Sequence, residues 1–393
     1  MNNKNKKDEL DEVKTFNKIF LIGNGYDLSR GMKTGYKDFL KWYLMDNLQK
    51  ALESGKLHYK DDCFELKVHK SYANPKKHEE VHAFLVKAIE EKQLKETLSK
   101  SAKDDYRHSF VIYILPKNKF VRDILSDCFD AEWNGIESSL YDNIKRLHYS
   151  LRYDNSGGEK RNINIKNSIL YKDSREEIKS INASLECLKR KLNEYLGHQK
   201  PKSDKDNFFS RLIESTFTDR SIDTKEVLFL NFNYTHDYRS LLQILRQRHG
   251  KITISKIQIH GGICEKNLLG NDMVFGIGDE QEELYHEIES LYDDDWLHCM
   301  KSFHYFKNDG YQKLLGFIEK GDYEIFVIGH SCSITDRTLL SMMFEHEHCK
   351  KIHVCHYQEL PSYRKTTYNI ARNFKDKVKM RQVVQPFNKS LKM

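Results

Sequence analysis

The run Ile19-Phe20-Leu21-Ile22 constrains this chain more than any other stretch. Four apolar residues without alternation predict a strand buried on both faces of a parallel sheet. The run breaks into Gly23-Asn24-Gly25-Tyr26-Asp27 and then into a helical pattern. Glycine lets a backbone approach a phosphate, and the amides and dipole of a first helical turn favour negative charge. A tight strand-to-helix connection without a ligand has the same signature, because a Gly-x-Gly pair is a weak signal. Leu28 stands where a dinucleotide fingerprint has its third glycine, and Asp38 to Met45 reads as helix rather than as a second strand. A plain nicotinamide dehydrogenase therefore fits poorly.

With 393 residues the chain can bury one large core or two. Its net charge of +7 comes without a dense Lys/Arg block, so nucleic acid is not an expected partner, although weak attraction to a polyanion is compatible with it. No apolar run approaches the ~20 residues that span a bilayer, so no membrane partner is expected. Residues 1–16 are polar and read as a flexible lead-in without a signal-peptide core. The eight cysteines are scattered and form no Cys-x-x-Cys pair, as expected of reduced thiols in a cytoplasmic protein.

Residues 41–224 show little strand character and read as a helical insertion or subdomain. Val81 to Glu90 and Ile178 to Leu196 are the clearest helices, the second with Ile178, Ile181, Leu185, Leu188, Leu192 and Leu196 on one stripe and Gly197 as its stop. Phe110 to Leu115 fits a strand or a buried helical turn. From Lys225 onward short apolar runs alternate with helical segments such as Tyr238 to Gln247 and Arg337 to Phe344. Residues 17–40 and 225–393 together predict an α/β, Rossmann-like domain, a mostly parallel sheet with helices on both faces.

Each predicted strand ends in small or polar residues: Gly23 to Asp27, Asn233-Tyr234-Thr235, His260-Gly261-Gly262, Gly278-Asp279 and Gly329-His330-Ser331. In an open α/β sheet such ends converge on the ligand crevice. Asn233 can orient a ribose, a carboxamide or a water, or simply form a turn. His260 has room beside it at Gly261 and suits a general base, or a backbone-bonded structural histidine. Gly329, Ser331 and Ser333 suit phosphate or ribose contacts, or a helix cap. Asp279 and Asp336 suit hydroxyl acceptance or capping. The crowded segment with His346, His348, Cys349, His353, Cys355 and His356 matches no standard finger, and no metal is predicted.

Phe20 to Phe39, with Ile22-Gly23-Asn24-Gly25-Tyr26-Asp27 at its centre, resembles the opening motif of the bacteriophage abortive-infection AbiH family. Trp133 to Glu137, Phe232 to Thr235, Ile259 to Gly261, Phe275 to Asp279 and Ile328 to Ser331 resemble its later motifs in order, with Cys332 where leucine is usual. That family is similar in turn to sirtuin-like NAD-binding domains. The likeness implies that Gly23, Asn24, Gly25 and Tyr26 hold a pyrophosphate. It implies that Asn233 orients the nicotinamide ribose and that His260 is the base. Thr235 replaces an aspartate of related defence enzymes. Deacetylation is not expected without the paired cysteines of a structural zinc.

These readings lead to an anti-phage defence enzyme that hydrolyses NAD or a related nucleotide. Phosphates would lie over Asn24, Gly25 and Tyr26, with Asp27 and Asn233 fixing ribose or water and His260 taking the proton; Gly261, Gly329, Ser331 and Asp279 complete the site. The alternative is a non-catalytic nucleotide sensor whose helical insertion recognises a phage component or a second copy of the chain. A nucleic-acid-processing enzyme is a weaker third reading, because no acidic metal cluster is evident.

Overall fold

The computed structural model describes residues 14–70, 110–127, 135–152, 169–202, 212–217, 222–235, 239–248, 251–263, 273–278, 280, 283–357 and 359–392. The chain divides into two compact units. The first comprises Met1–Gly31, Pro201–His260 and Asn308–Met393, the second Met32–Lys200 and Gly261–Lys307. Among the described residues no helix is long and apolar enough to cross a membrane.

The large sheet of the first unit has six strands among the described residues: β1 (Asn17–Ile22), β2 (Glu226–Asn231), β3 (Thr253–Gln258), β4 (Tyr323–Ile328), β5 (Cys349–His356) and β6 (Leu391–Lys392). Every pairing is parallel and the strand order is 6-5-4-1-2-3. This is the doubly wound, Rossmann-like order, with its switch point between β1 and β4. Among the described residues its helices include α1 (Asn24–Ser29), α2 (Arg239–Arg248), α3 (Gly310–Ile318), α4 (Arg337–Glu345), α5 (Glu359–Arg372) and α6 (Lys377–Val383). As the unalternating sequence requires, all six residues of β1 and all six of β4 are buried. Phe20 of β1 stacks between Phe229 and Phe326, with centroids 5.3 and 5.4 Å away. Residues on the two neighbouring strands thus pack as one apolar layer.

One polar cluster interrupts that sheet. Lys18 and Glu324, both buried, pair at 3.2 Å, and Lys351 reaches the other Glu324 oxygen at 2.9 Å. Burial raises the Glu324 pKa, but hydrogen bonding with His353, the charge of Lys18 and hydrogen bonding with Lys351 outweigh it and bring the value down to about 2. A carboxylate with a depressed folded pKa stabilises the fold fully above its unfolded value near 4.3 and loses that contribution as pH falls toward 2. Glu324→Gln should cost about 3–5 kcal/mol at neutral pH, because Lys18 is left buried without its charge partner. It should also flatten the acid limb of a stability–pH curve between about pH 5 and 2, measured by denaturant titration.

The second unit corrects the expectation of a strand-poor region. His58–Lys60, Phe64–Lys70 and Phe110–Pro116 form a three-stranded antiparallel sheet. Phe64, Leu66 and Val68 are buried while Glu65 and Lys67 are less so, a period of two that short mixed-charge strands share with helical text. The ambiguous Phe110 to Leu115 is therefore strand. The long helix spans Ile169–Gly197, and all six residues of the predicted stripe are buried. Helix also covers Tyr36–Glu53, as the pattern at Asp38 to Met45 predicts. The predicted helix at Val81 to Glu90 lies outside the described residues.

Candidate active site at the carboxyl ends of the parallel strands

Strand register brings the candidate residues of the first unit together. Ile22 aligns with both Asn231 and Ile328, and Asn231 aligns with Gln258. The loops after β1, β2, β3 and β4 therefore leave the sheet at one level, although up to about 300 residues separate them in sequence.

The glycines of the first loop bring two backbones together. The Gly23 amide donates to Ile328 O at 2.9 Å, Gly25 to Gly329 O at 2.8 Å and Tyr26 to Gly23 O at 2.9 Å. A Cβ on Gly23 would lie 2.5 Å from Cα of His330, and one on Gly25 2.7 Å from Cα of Gly329. Gly329 itself has φ +65 and would place a Cβ 2.5 Å from the Tyr26 nitrogen. The loops of β1 and β4 meet backbone to backbone at the switch point, and only glycine permits that approach. The Tyr26 ring joins the apolar core, with the Arg30 guanidinium 5.5 Å from its centroid. Asn24 is exposed.

The second loop is held by amide side chains. Asn231 Nδ2 donates to Thr235 O at 2.8 Å and to Gln258 Oε1 at 3.0 Å, while its Oδ1 accepts from Asn233 N at 3.0 Å. Gln258 Nε2 donates to the carbonyls of Asn233 and Thr235. Asn233 is buried and donates an amide proton to Gly23 O at 3.1 Å. Thr235 Oγ1 donates to Asp27 Oδ2 at 2.5 Å, so Asp27, also buried, is tied to the second loop.

Beside this lattice three titratable side chains meet. His260 Nε2 lies 3.2 Å from Asp336 Oδ1, and His330 Nε2 lies 3.5 Å from Asp336 Oδ2; all three residues are buried. The Phe232 ring packs against both imidazoles, 5.0 Å from His260 and 4.3 Å from His330. His260 Nδ1 faces the Phe232 carbonyl at 3.1 Å. A carbonyl only accepts, so this nitrogen carries a proton and Nε2 is where the ring gains or loses one. His330 Nδ1 accepts from Cys332 N at 3.0 Å, which puts its proton on Nε2, toward Asp336. Cys332 adopts φ 52, the left-handed turn that aims its amide back at the ring, and Asn373 Nδ2 locks that turn through Cys332 O at 2.9 Å.

His260, Asn233 and Asp27 thus converge, and so do Gly23, Gly25 and Gly329. Ser331 is exposed, and its carbonyl accepts from Asn369 at 2.8 Å. Gly261 has φ +70 and falls in the second unit. Asp279 lies outside the described residues, as does Trp133. Sequence reasoning passed over His330, Gln258 and the pairing role of Asp336. The signal was the Gly-His-Ser strand end, where the glycine and serine drew attention and the histidine did not.

In the second unit Glu137 accepts from Gly276 N at 3.4 Å and pairs with Lys301 at 2.9 Å, which fastens the Phe275 to Gly278 segment. Asp61, Cys63 and Cys187 bring ligand-type atoms within 4.8 Å of one another. Asp61 already accepts four hydrogen bonds, from Tyr43 and Tyr59 hydroxyls at 2.5 and 2.8 Å and from Cys63 and Phe64 amides at 2.8 and 3.0 Å. Burial pushes the Cys63 thiol up, so it keeps its proton and donates to Ser184 O at 3.4 Å. Tyr43→Phe should lower stability by about 1–3 kcal/mol, read as a fall in melting temperature, because the half-buried Asp61 carboxylate loses a donor. The histidines of the late segment disperse instead: His346 faces Glu319, His348 faces Asp322 and His353 faces Glu324.

No curated protein sequence matches the chain. The family model described as bacteriophage abortive infection AbiH matches residues 19–357, a span that holds most of β1, all of β2 to β5 and the residues His260, His330 and Asp336. On that coverage the chain belongs to the bacteriophage abortive infection AbiH family, whose role is anti-phage defence.

Proposed function

We propose that the first unit binds NAD or a related nucleotide and hydrolyses its N-glycosidic bond, with His260 as general base. One observation carries this reading. When His260 Nε2 takes up a proton, the resulting imidazolium has an acceptor waiting at each nitrogen, Phe232 O at 3.1 Å and Asp336 Oδ1 at 3.2 Å. Acceptors already in place beside both nitrogens let a proton arrive without reorganisation, which suits a base as a glycosidic bond lengthens and water attacks. Asn233 sits within the same loop lattice, where its amide suits a ribose hydroxyl or the attacking water. The glycine loop contributes by drawing β1 and β4 together. In this reading a phosphate rests on Asn24 and the outer loop surface, not on the amides of Gly23, Gly25 and Tyr26.

The test is incubation of the purified chain with a nucleotide panel, with and without infected-cell lysate, and product identification by mass spectrometry. Release of a free base from one nucleotide is the expected result. No consumption under either condition would sink the hydrolase reading.

A second reading keeps the nucleotide and drops the chemistry. Both ring nitrogens of His260 have protein partners, as in a structural histidine. A nucleotide-gated sensor of a phage component would then show saturable binding without turnover, even with the trigger present.

A further inference from the structure

The net positive charge of this chain is matched by that of one short segment. Residues 359–392 hold nine Lys/Arg and two Asp/Glu, a net of +7, which equals the net charge of the whole chain. The remaining residues sum to zero. The near-balanced composition hides this, because the cations are spread over α5, α6 and β6 instead of forming a run.

The fold gathers them. β6 pairs with β5 through Cys355 and Leu391, Val384 bridges Ile352 of β5, and Tyr363 of α5 donates to Gln385 O at 2.7 Å. The whole segment is thereby fastened along one edge of the sheet. The carboxylates near it are already engaged. Glu359 pairs with Lys392 at 2.9 Å, and Asp376 caps α6 through the Val378 and Lys379 amides at 2.7 and 3.1 Å. Glu345 of α4 accepts from the amides of Lys375 and Asp376 at 2.7 and 2.8 Å. Lys379 spends its donor on a neutral carbonyl, Cys349 O at 3.0 Å, so its charge is not cancelled.

Exposed rings are interleaved with the charge. Arg364, Tyr368 and Arg372 stand at i, i+4 and i+8 on α5 and all are exposed, with Lys365 beside them. Tyr368 is 59% exposed and Phe387 37%. Among the described residues of the segment, Val378 is the one exposed large aliphatic side chain, so there is no apolar helix face to enter a bilayer. Cations that track a phosphate backbone, set beside rings on which bases stack, are the device of single-strand binding.

We propose that this C-terminal edge is a docking surface for single-stranded nucleic acid, with Arg364, Lys365 and Arg372 on phosphates and Tyr368 stacked on a base. This surface is separate from the His260 cluster and does not rest on the proposed hydrolase activity.

The test uses the full chain and a fluorescein-labelled, mixed-sequence single strand, read by anisotropy across a salt series. Binding should weaken with salt. The triple variant Arg364→Glu, Lys365→Glu, Arg372→Glu should bind far more weakly and lower the magnitude of the log–log salt slope by about 2, at roughly 0.7 per lost phosphate contact. Tyr368→Ala should weaken binding about tenfold with the slope unchanged, since stacking is not an ionic contact. The three cationic side chains are exposed, and matching circular dichroism melts will establish that the variants fold. Three outcomes each overturn the proposal: a triple variant with parental affinity and slope, a duplex bound as tightly as the strand, or binding to anionic vesicles but not to the oligonucleotide.

Discussion

His260→Ala is expected to lower nucleotide turnover by about 10²–10⁴-fold, the usual cost of removing a positioned base. Thermal melting should show that the variant still folds, and Asp336→Asn supplies the discriminating comparison. That change keeps the His260 ring and its bond to Phe232 O but removes the carboxylate 3.2 Å from Nε2. The rate should fall less than in His260→Ala, and the acid limb of the pH–rate profile, where a general base becomes protonated, should move. A merely structural histidine would change melting temperature in both variants and leave the pH profile alone. Parental turnover in His260→Ala would falsify the assignment.

Gly329→Ala is expected to destabilise the nucleotide-free protein by about 2–5 kcal/mol. Two costs combine. The left-handed φ of +65 penalises any side chain by about 1–2 kcal/mol, and a Cβ 2.5 Å from the Tyr26 nitrogen forces overpacking worth about 1–3 kcal/mol. Gly55→Ala is the control. Gly55 has a similar φ of +68 but nothing within 4 Å of its Cβ, so only the first cost applies. Melting temperatures measured without ligand separate the two roles of the loop. If these glycines served only a bound phosphate, the ligand-free Gly329 variant would melt no lower than the Gly55 variant.

That contrast also marks how far local sequence could reach. The buried strands were readable because burial on both faces writes an unbroken apolar run, as at Ile19 to Ile22 and Ile325 to Ile328. The stripe from Ile178 to Leu196 was readable because helical period repeats within a few residues. The small antiparallel sheet escaped because Phe64 to Lys70 alternates over too short a span to separate from amphipathic helix. His330 escaped for a different reason. Its partner Asp336 sits on a turn whose direction depends on Cys332 at φ 52, and nothing in the residue order announces that turn.

Residue order alone was enough for a parallel α/β unit, for the strand ends as the place where polar groups collect, and for the family likeness that residues 19–357 bear out. Each of these is written in contiguous residues, so no long-range contact is needed to see it. Tertiary structure alone decided what the groups at those ends do. The amides of Gly23 and Gly25 are taken by the carbonyls of Ile328 and Gly329, about 300 residues away. Whether an amide is spent or available depends on which backbone the parallel register brings beside it. The same register sets His260 and His330 around the Asp336 carboxylate, and the edge pairing of β5 with β6 gathers scattered lysines and arginines into one charged surface.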